Sequence, residues 1–145
     1  MNGEVIQVFG NNKNIKMNIE GTKITSQKSA KEIYSFLIEL SNFERLMPEN
    51  TEKFEVDGKS FIFGLKGMPE IRLVVKEKIE YSNITLGAAS SKLPFTLSAN
   101  IEESSDKSCT VQLSFLGEFN AMMAMMIKKP LTKFVDTLTD NIAKL

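Results

Sequence analysis

The hydrophobic positions of the chain change period twice, and those changes divide it into elements. From Ile15 apolar residues alternate with polar ones, with Ile15, Met17 and Ile19 on one face, as a half-buried strand requires. The alternation breaks at Gly21 and resumes at Ile24, which predicts a bulge. From Ser29 the period becomes helical: Ile33, Phe36, Leu37 and Leu40 recur at i, i+3, i+4 and i+7 and form one apolar stripe. Ser29 and Glu32 stand at the spacing of a capping box, in which each side chain satisfies a free backbone N–H of the other. A second short helix is expected over Phe43, Leu46 and Met47, capped by Ser41 or Asn42 and stopped before Pro48.

Between Thr51 and Phe119 the period is two. Phe54 and Val56 lead to Asp57-Gly58, a strong hairpin signal, and Phe61, Phe63 and Leu65 follow. Beyond the turn Lys66-Gly67-Met68-Pro69 come Ile71, Leu73, Val75, Ile79 and Tyr81, and then a shorter strand with Ile84 and Leu86. Phe95, Leu97, Ala99 and Ile101 make one further strand, and Cys109, Val111, Leu113, Phe115 and Phe119 the last. Such alternation marks an antiparallel meander, one face wet and the other covered. With the first strand it amounts to about seven strands. Asn120 then caps a long helix from about Ala121 to the end. Its stripe of Met123, Ile127, Leu131, Phe134, Leu138 and Ile142 is long enough to cross and cover the sheet. The class is α+β. Residues 1–13 are an N-terminal tail or an extra strand, and residues 14–145 are one domain.

Composition narrows the chemistry. Lys plus Arg and Asp plus Glu stand at 18 each, which argues against nucleic acid as a partner because phosphate binding needs clustered positive charge. There is no His and a single Cys, so Ser–His and Cys–His pairs, His-ligated metals and thiolate metal sites are excluded, as is an internal disulfide. No phosphate-cradling glycine motif is present, and no cofactor or metal is implied. No leader pattern and no membrane-spanning apolar run of about 20 residues is found, so the expected location is cytoplasmic. At 145 residues the chain can bury roughly 70% of its unfolded surface without staples.

The order of strand, two short helices, meander and long terminal helix resembles the START-like, or SRPBCC, superfamily of helix-grip domains. That superfamily includes plant pollen allergens, lipid-transfer domains and polyketide cyclases. The local runs Ile33-Tyr34-Ser35-Phe36-Leu37, Asn42-Phe43-Glu44-Arg45-Leu46-Met47-Pro48 and Met125-Met126-Ile127-Lys128-Lys129-Pro130-Leu131 are similar to those of small bacterial members of uncharacterised function. The resemblance covers about Asn14 to Leu145. It implies a curved sheet gripping the terminal helix and a cavity between them for an apolar ligand. It transfers no catalytic residue.

Inward-facing positions would line or close that cavity. They are Phe61 and Phe63, Leu73 and Val75, Phe95 and Leu97, Leu113 and Phe115 on the strands, and Met123, Ile127, Leu131 and Phe134 on the helix. No catalytic residue is assigned, but Glu77 and Tyr81 are weak candidates. In the register of Leu73, Val75 and Ile79, Glu77 points inward, where a carboxylate would have a raised pKa and could act as acid or base. The alternative is a bulge that returns it to water. Four of the residues Met122-Met123-Ala124-Met125-Met126 are methionine, either an adaptable gate or docking patch, or ordinary core with neighbouring cover. Cys109 reads as a small buried hydrophobe. Lys128, Lys129 and Lys133 either steer an anionic head group or form a solvated face. Arg72 falls on the wet side of its strand. Pro130 either kinks the helix and opens a portal beside it, or begins a second helical segment.

These observations leave three readings. The first is the binding or carrying of a small apolar or amphipathic molecule. The second is a cyclase- or hydratase-like enzyme using Glu77 or Tyr81. The third is a filled core with a surface that acts as an interface, the chain being a monomer or a homodimer.

Overall fold

The computed structural model describes residues 14–89 and 94–145, so the expected N-terminal tail or strand lies outside the described residues. The strands are β1 (Asn14–Glu20), β2 (Ile24–Ser26), β3 (Thr51–Asp57), β4 (Ser60–Leu65), β5 (Ile71–Ile79), β6 (Asn83–Ala88), β7 (Phe95–Ser105) and β8 (Ser108–Asn120). Helix α1 (Ala30–Ile38) and a 3-10 helix (Leu40–Leu46) follow β2, and helix α2 (Ala121–Ala143) closes the chain. The strands form one antiparallel sheet in the order β1-β8-β7-β6-β5-β4-β3, with β2 also paired to β8.

The described residues form eight strands rather than about seven, because the break at Gly21 divides the first one. The break keeps its hydrogen bonds. Gly21 N donates to Leu113 O at 2.8 Å, and its carbonyl accepts from Gln112 Nε2 at 2.9 Å. A Cβ at Gly21 would lie 3.1 Å from both Val135 Cγ1 and Thr139 Oγ1 and 3.2 Å from the Leu113 carbonyl, so glycine lets α2 approach the sheet here.

Helix α1 starts as its capping box predicts. Ser29 Oγ accepts from Glu32 N at 3.1 Å, and Ser29 N donates to Glu32 Oε1 at 3.0 Å. These bonds hold the Glu32 carboxyl below its ordinary pKa. The second helix differs from expectation. Leu40, Phe43 and Leu46 are buried at a spacing of three, the period of a 3-10 helix. Neither Ser41 nor Asn42 caps it. Glu39 occupies the cap position without a side-chain bond to the helix backbone, and Asn42 Nδ2 donates back to Phe36 O at 3.0 Å.

The curved sheet grips α2, which runs unbroken from Ala121 to Ala143 with Pro130 inside it, a length of about 34 Å. Pro130 therefore does not begin a second helix. Asn120 Oδ1 caps α2, accepting from Met123 N at 2.8 Å. Ile127, Leu131, Phe134, Val135, Leu138 and Ile142 are buried against the concave face. At the far end Asn141 Nδ2 donates to Leu46 O at 2.9 Å and ties α2 to the 3-10 helix.

Candidate functional site

The space between sheet and helix is divided. Toward the carboxyl-terminal half of α2, Leu138 and Ile142 meet Leu37, Phe43, Leu46 and Leu113 around a void of only about 10 Å³. Toward the amino-terminal half lies a pocket of about 30 Å³. Its walls are Phe63 of β4, Met68 and Pro69 of the β4–β5 turn, Ile71 and Leu73 of β5, Phe95 and Leu97 of β7, and Phe115 and Phe119 of β8. Met123, Ile127, Leu131 and Phe134 of α2 close it. Every described side chain that lines it is apolar, so a water there would find no hydrogen-bond partner among them.

Aromatic rings set the pocket's shape. Phe95 stacks on Phe115 at 5.1 Å, and Phe119 lies parallel to Phe115 at 6.3 Å. Gly117, the inward position between those two phenylalanines, makes room for them. A Cβ there would come 2.8 Å from Phe95 Cβ and 2.7 Å from the Phe119 ring. On the opposite side Phe63 stacks on Phe134 at 5.1 Å, nearly parallel, and bridges sheet and helix.

Phe134 and Met68 also line a second space. This is an outer groove of about 380 Å³ between α2, the β4–β5 turn and the segment Pro48–Asn50, rimmed by Lys66, Lys129 and Lys133 and floored by Pro130. The groove lies beside the proline, where a portal was one of the two expectations.

Most of the strand positions read as cavity lining come together here, together with all four on α2. Phe61, Val75 and Leu113 do not. Phe61 is fully buried among Phe43 and Phe54, each at 5.1 Å. Leu113 belongs to the tightly filled half, and Val75 is half-buried where β5 leaves the core. Four lining residues were not on the list. Ile71 and Phe119 carry the alternation and could have been found from it, whereas Met68 and Pro69 sit in a turn and have no periodicity.

The weak catalytic candidates lie elsewhere. The pairing of β5 with β6 slips between Val75 and Glu77, with Lys76 as the extra residue. The slip reverses the facing, so Glu77 stands opposite Thr85 and is exposed, which is the bulge alternative. Tyr81 sits in the next turn with a positive φ of 64° and packs edge-on against Tyr34 of α1 at 5.6 Å. Among the described residues no titratable side chain lines the pocket. Cys109 is buried at the other end of β8, where burial, and then the Glu32 carboxylate, push its thiol pKa up. Arg72 donates from Nη1 to Ser60 Oγ at 2.8 Å. Among the described residues no three His, Cys, Asp or Glu side chains converge as metal ligands would, and no helix is long and apolar enough to cross a membrane.

The methionines of α2 divide. Met123 faces the pocket, half-buried, while Met122, Met125 and Met126 are 74%, 82% and 65% exposed. They are neither core nor cover.

Solved structures share this arrangement. Norcoclaurine synthase from Thalictrum flavum, in complex with dopamine and hydroxybenzaldehyde, matches with a TM-score of 0.70 at 13% identity, over 90% of this chain and 86% of that one. A START superfamily protein from Mycobacterium smegmatis matches with a TM-score of 0.68 at 11% identity, over 89% of this chain and 94% of that one. Protein XoxI from Bacillus cereus gives 0.68 at 7% identity, over 89% and 93%. The sequence matches no protein-family profile and no curated protein. At such identities the likeness is one of fold, and the chain has the START-like helix-grip fold.

Proposed function

We propose that the domain binds a small apolar or amphipathic molecule between the sheet and the amino-terminal half of α2. The observation that carries this reading is the uneven filling of the interior. One half is packed nearly solid, and the other keeps an all-apolar pocket under a stretch of helix whose outer side is bare methionine. At about 30 Å³ the resting pocket is an order of magnitude below the roughly 300 Å³ at which small-molecule sites begin, so binding requires it to swell. The parts able to move are those that border it. Met68 and Met123 re-pack at low cost, because thioethers are unbranched and polarizable. Norcoclaurine synthase, held with dopamine and hydroxybenzaldehyde, supports the capacity of this fold for small aromatic molecules.

Native mass spectrometry of freshly purified protein, before and after organic extraction, tests the reading. A reproducible excess mass lost on extraction is the expected result. A bare mass, together with no uptake of an apolar fluorophore, would remove it.

Two alternatives fare differently. A cyclase- or hydratase-like reaction needs a polar group in the pocket, and the lining offers none, so Glu77→Gln should leave binding unchanged. A homodimer is favoured by one observation, the adjacent exposed Met122, Met125 and Met126. It would register as a doubled mass in the same experiment.

A further inference from the structure

We infer that the ligand is a single-chain anionic amphiphile, its chain in the apolar pocket and its head group in the lysine-rimmed groove beside Pro130. The inference rests on the binding reading above and assigns a second part to that site. Its basis is a shared wall. Met68 and Phe134 line both the inner pocket and the outer groove, so the two spaces adjoin at these two side chains.

The two spaces differ in chemistry. The pocket is lined by hydrocarbon and thioether alone. The groove brings Lys66 from the β4–β5 turn toward Lys129 and Lys133, which are one helical turn apart on α2, and among the described residues no carboxylate lines it. Lys53 pairs with Glu70 at 3.5 Å, and among the described residues no carboxylate is within ion-pair distance of Lys66, Lys129 or Lys133. In a chain of balanced charge, three ammonium groups around one acid-free groove form a local positive field.

The turn that carries Lys66 is pinned. Lys66 N donates to Asn50 O at 2.9 Å, and Met68 N donates to Leu65 O at 2.9 Å. The head group would therefore meet a preformed rim while the chain enters an adaptable interior. A carboxylate, sulfonate or phosphate satisfies this chemistry equally. A neutral alcohol or ester of the same chain does not.

The test compares cis-parinaric acid with its methyl ester, each followed by its own fluorescence on the full chain. At low salt the acid should bind roughly tenfold more tightly, as expected for a few exposed, solvent-screened charge pairs. The ratio should fall toward one in about 0.5 M salt, where screening acts within a few ångströms. It should also fall toward one in Lys66→Gln/Lys129→Gln/Lys133→Gln, all at exposed positions. Equal binding of acid and ester to the unaltered chain overturns the head-group assignment and leaves the pocket reading standing. A ratio retained in the triple variant overturns it too. If neither molecule binds, the pocket reading and this inference fall together.

Discussion

The two halves of α2 belong to one continuous helix and are held very differently. From Leu131 onward it is anchored by Phe134, Val135, Leu138 and Ile142, by close approach at Gly21 and by the Asn141 bond to Leu46. Before Pro130 it buries Ala124 and Ile127, half-buries Met123 and exposes three methionines. The difference separates two tasks that a single packed helix cannot perform together. One half contributes stability through dense packing, and the other keeps apolar surface that can be rearranged. Pro130 stands at the join and lacks the N–H that would bond to Met126, four residues back, so the helix is weakest where its task changes.

The largest break in this comparison should come from cutting side chains in each half. Leu138→Ala is expected to cost about 2–5 kcal/mol in urea unfolding, because it opens a cavity in the filled half. Met123→Ala, beside an existing space, should cost about 1 kcal/mol or less. Equal losses would show that the halves are packed alike.

Next is Gly117→Ala. The Phe119 ring can turn aside, but Phe95 Cβ cannot, so the added methyl should cost about 1–3 kcal/mol and reduce uptake of an apolar fluorophore. Unchanged stability would mean that the strand yields there as easily as the helix.

Pro130→Ala works in the other direction. Restoring the missing bond, offset by a more flexible unfolded chain, should stabilise by about 1–2 kcal/mol. Hydrogen exchange should slow over residues 122–129 and stay the same over 131–142. Uniform slowing would remove the join.

The smallest effect concerns pH. The Cys109 pKa is raised in the folded chain, so its neutral thiol is no liability below the unfolded value of about 8.5, and stability is lost as pH rises above it. The unfolding midpoint should therefore fall more between about pH 7.5 and 9.5 in the unaltered chain than in Cys109→Ala. Identical slopes would show that the thiol ionises freely in the fold.

What was legible in the sequence follows from the same physics. Alternation reports which face of a strand is buried, so the inward sets on β7 and β8 were readable, as were the capping boxes and turns that rest on named residue types. A bulge is one extra residue with no chemical signature of its own, and Lys76 looks like any other polar position. The inward reading of Glu77 failed at that residue. The difference between a short α-helix and a 3-10 helix lay in the spacing of Leu40, Phe43 and Leu46, which fits either until the third residue is counted. Met68 and Pro69 could not be assigned to the pocket, because a turn places its side chains by tertiary contact rather than by period. Nor did the helical stripe separate a filled half from a spacious one, since Ile127 and Leu138 look equivalent in sequence.

The pairing of β1 with β8 has a consequence for how the chain is made. Asn14 lies opposite Asn120 and Glu20 opposite Ser114, so the first described strand waits for nearly the last before its ladder can close. Contacts so distant in sequence slow folding, and an emerging chain cannot form them until β8 has been synthesised. Helix α2 follows β8 without an intervening loop and arrives after the sheet. Until it docks, the greasy concave face of the meander is open to neighbouring nascent chains. The molecule is then at its most vulnerable to aggregation, in the interval between finishing the sheet and gripping the helix.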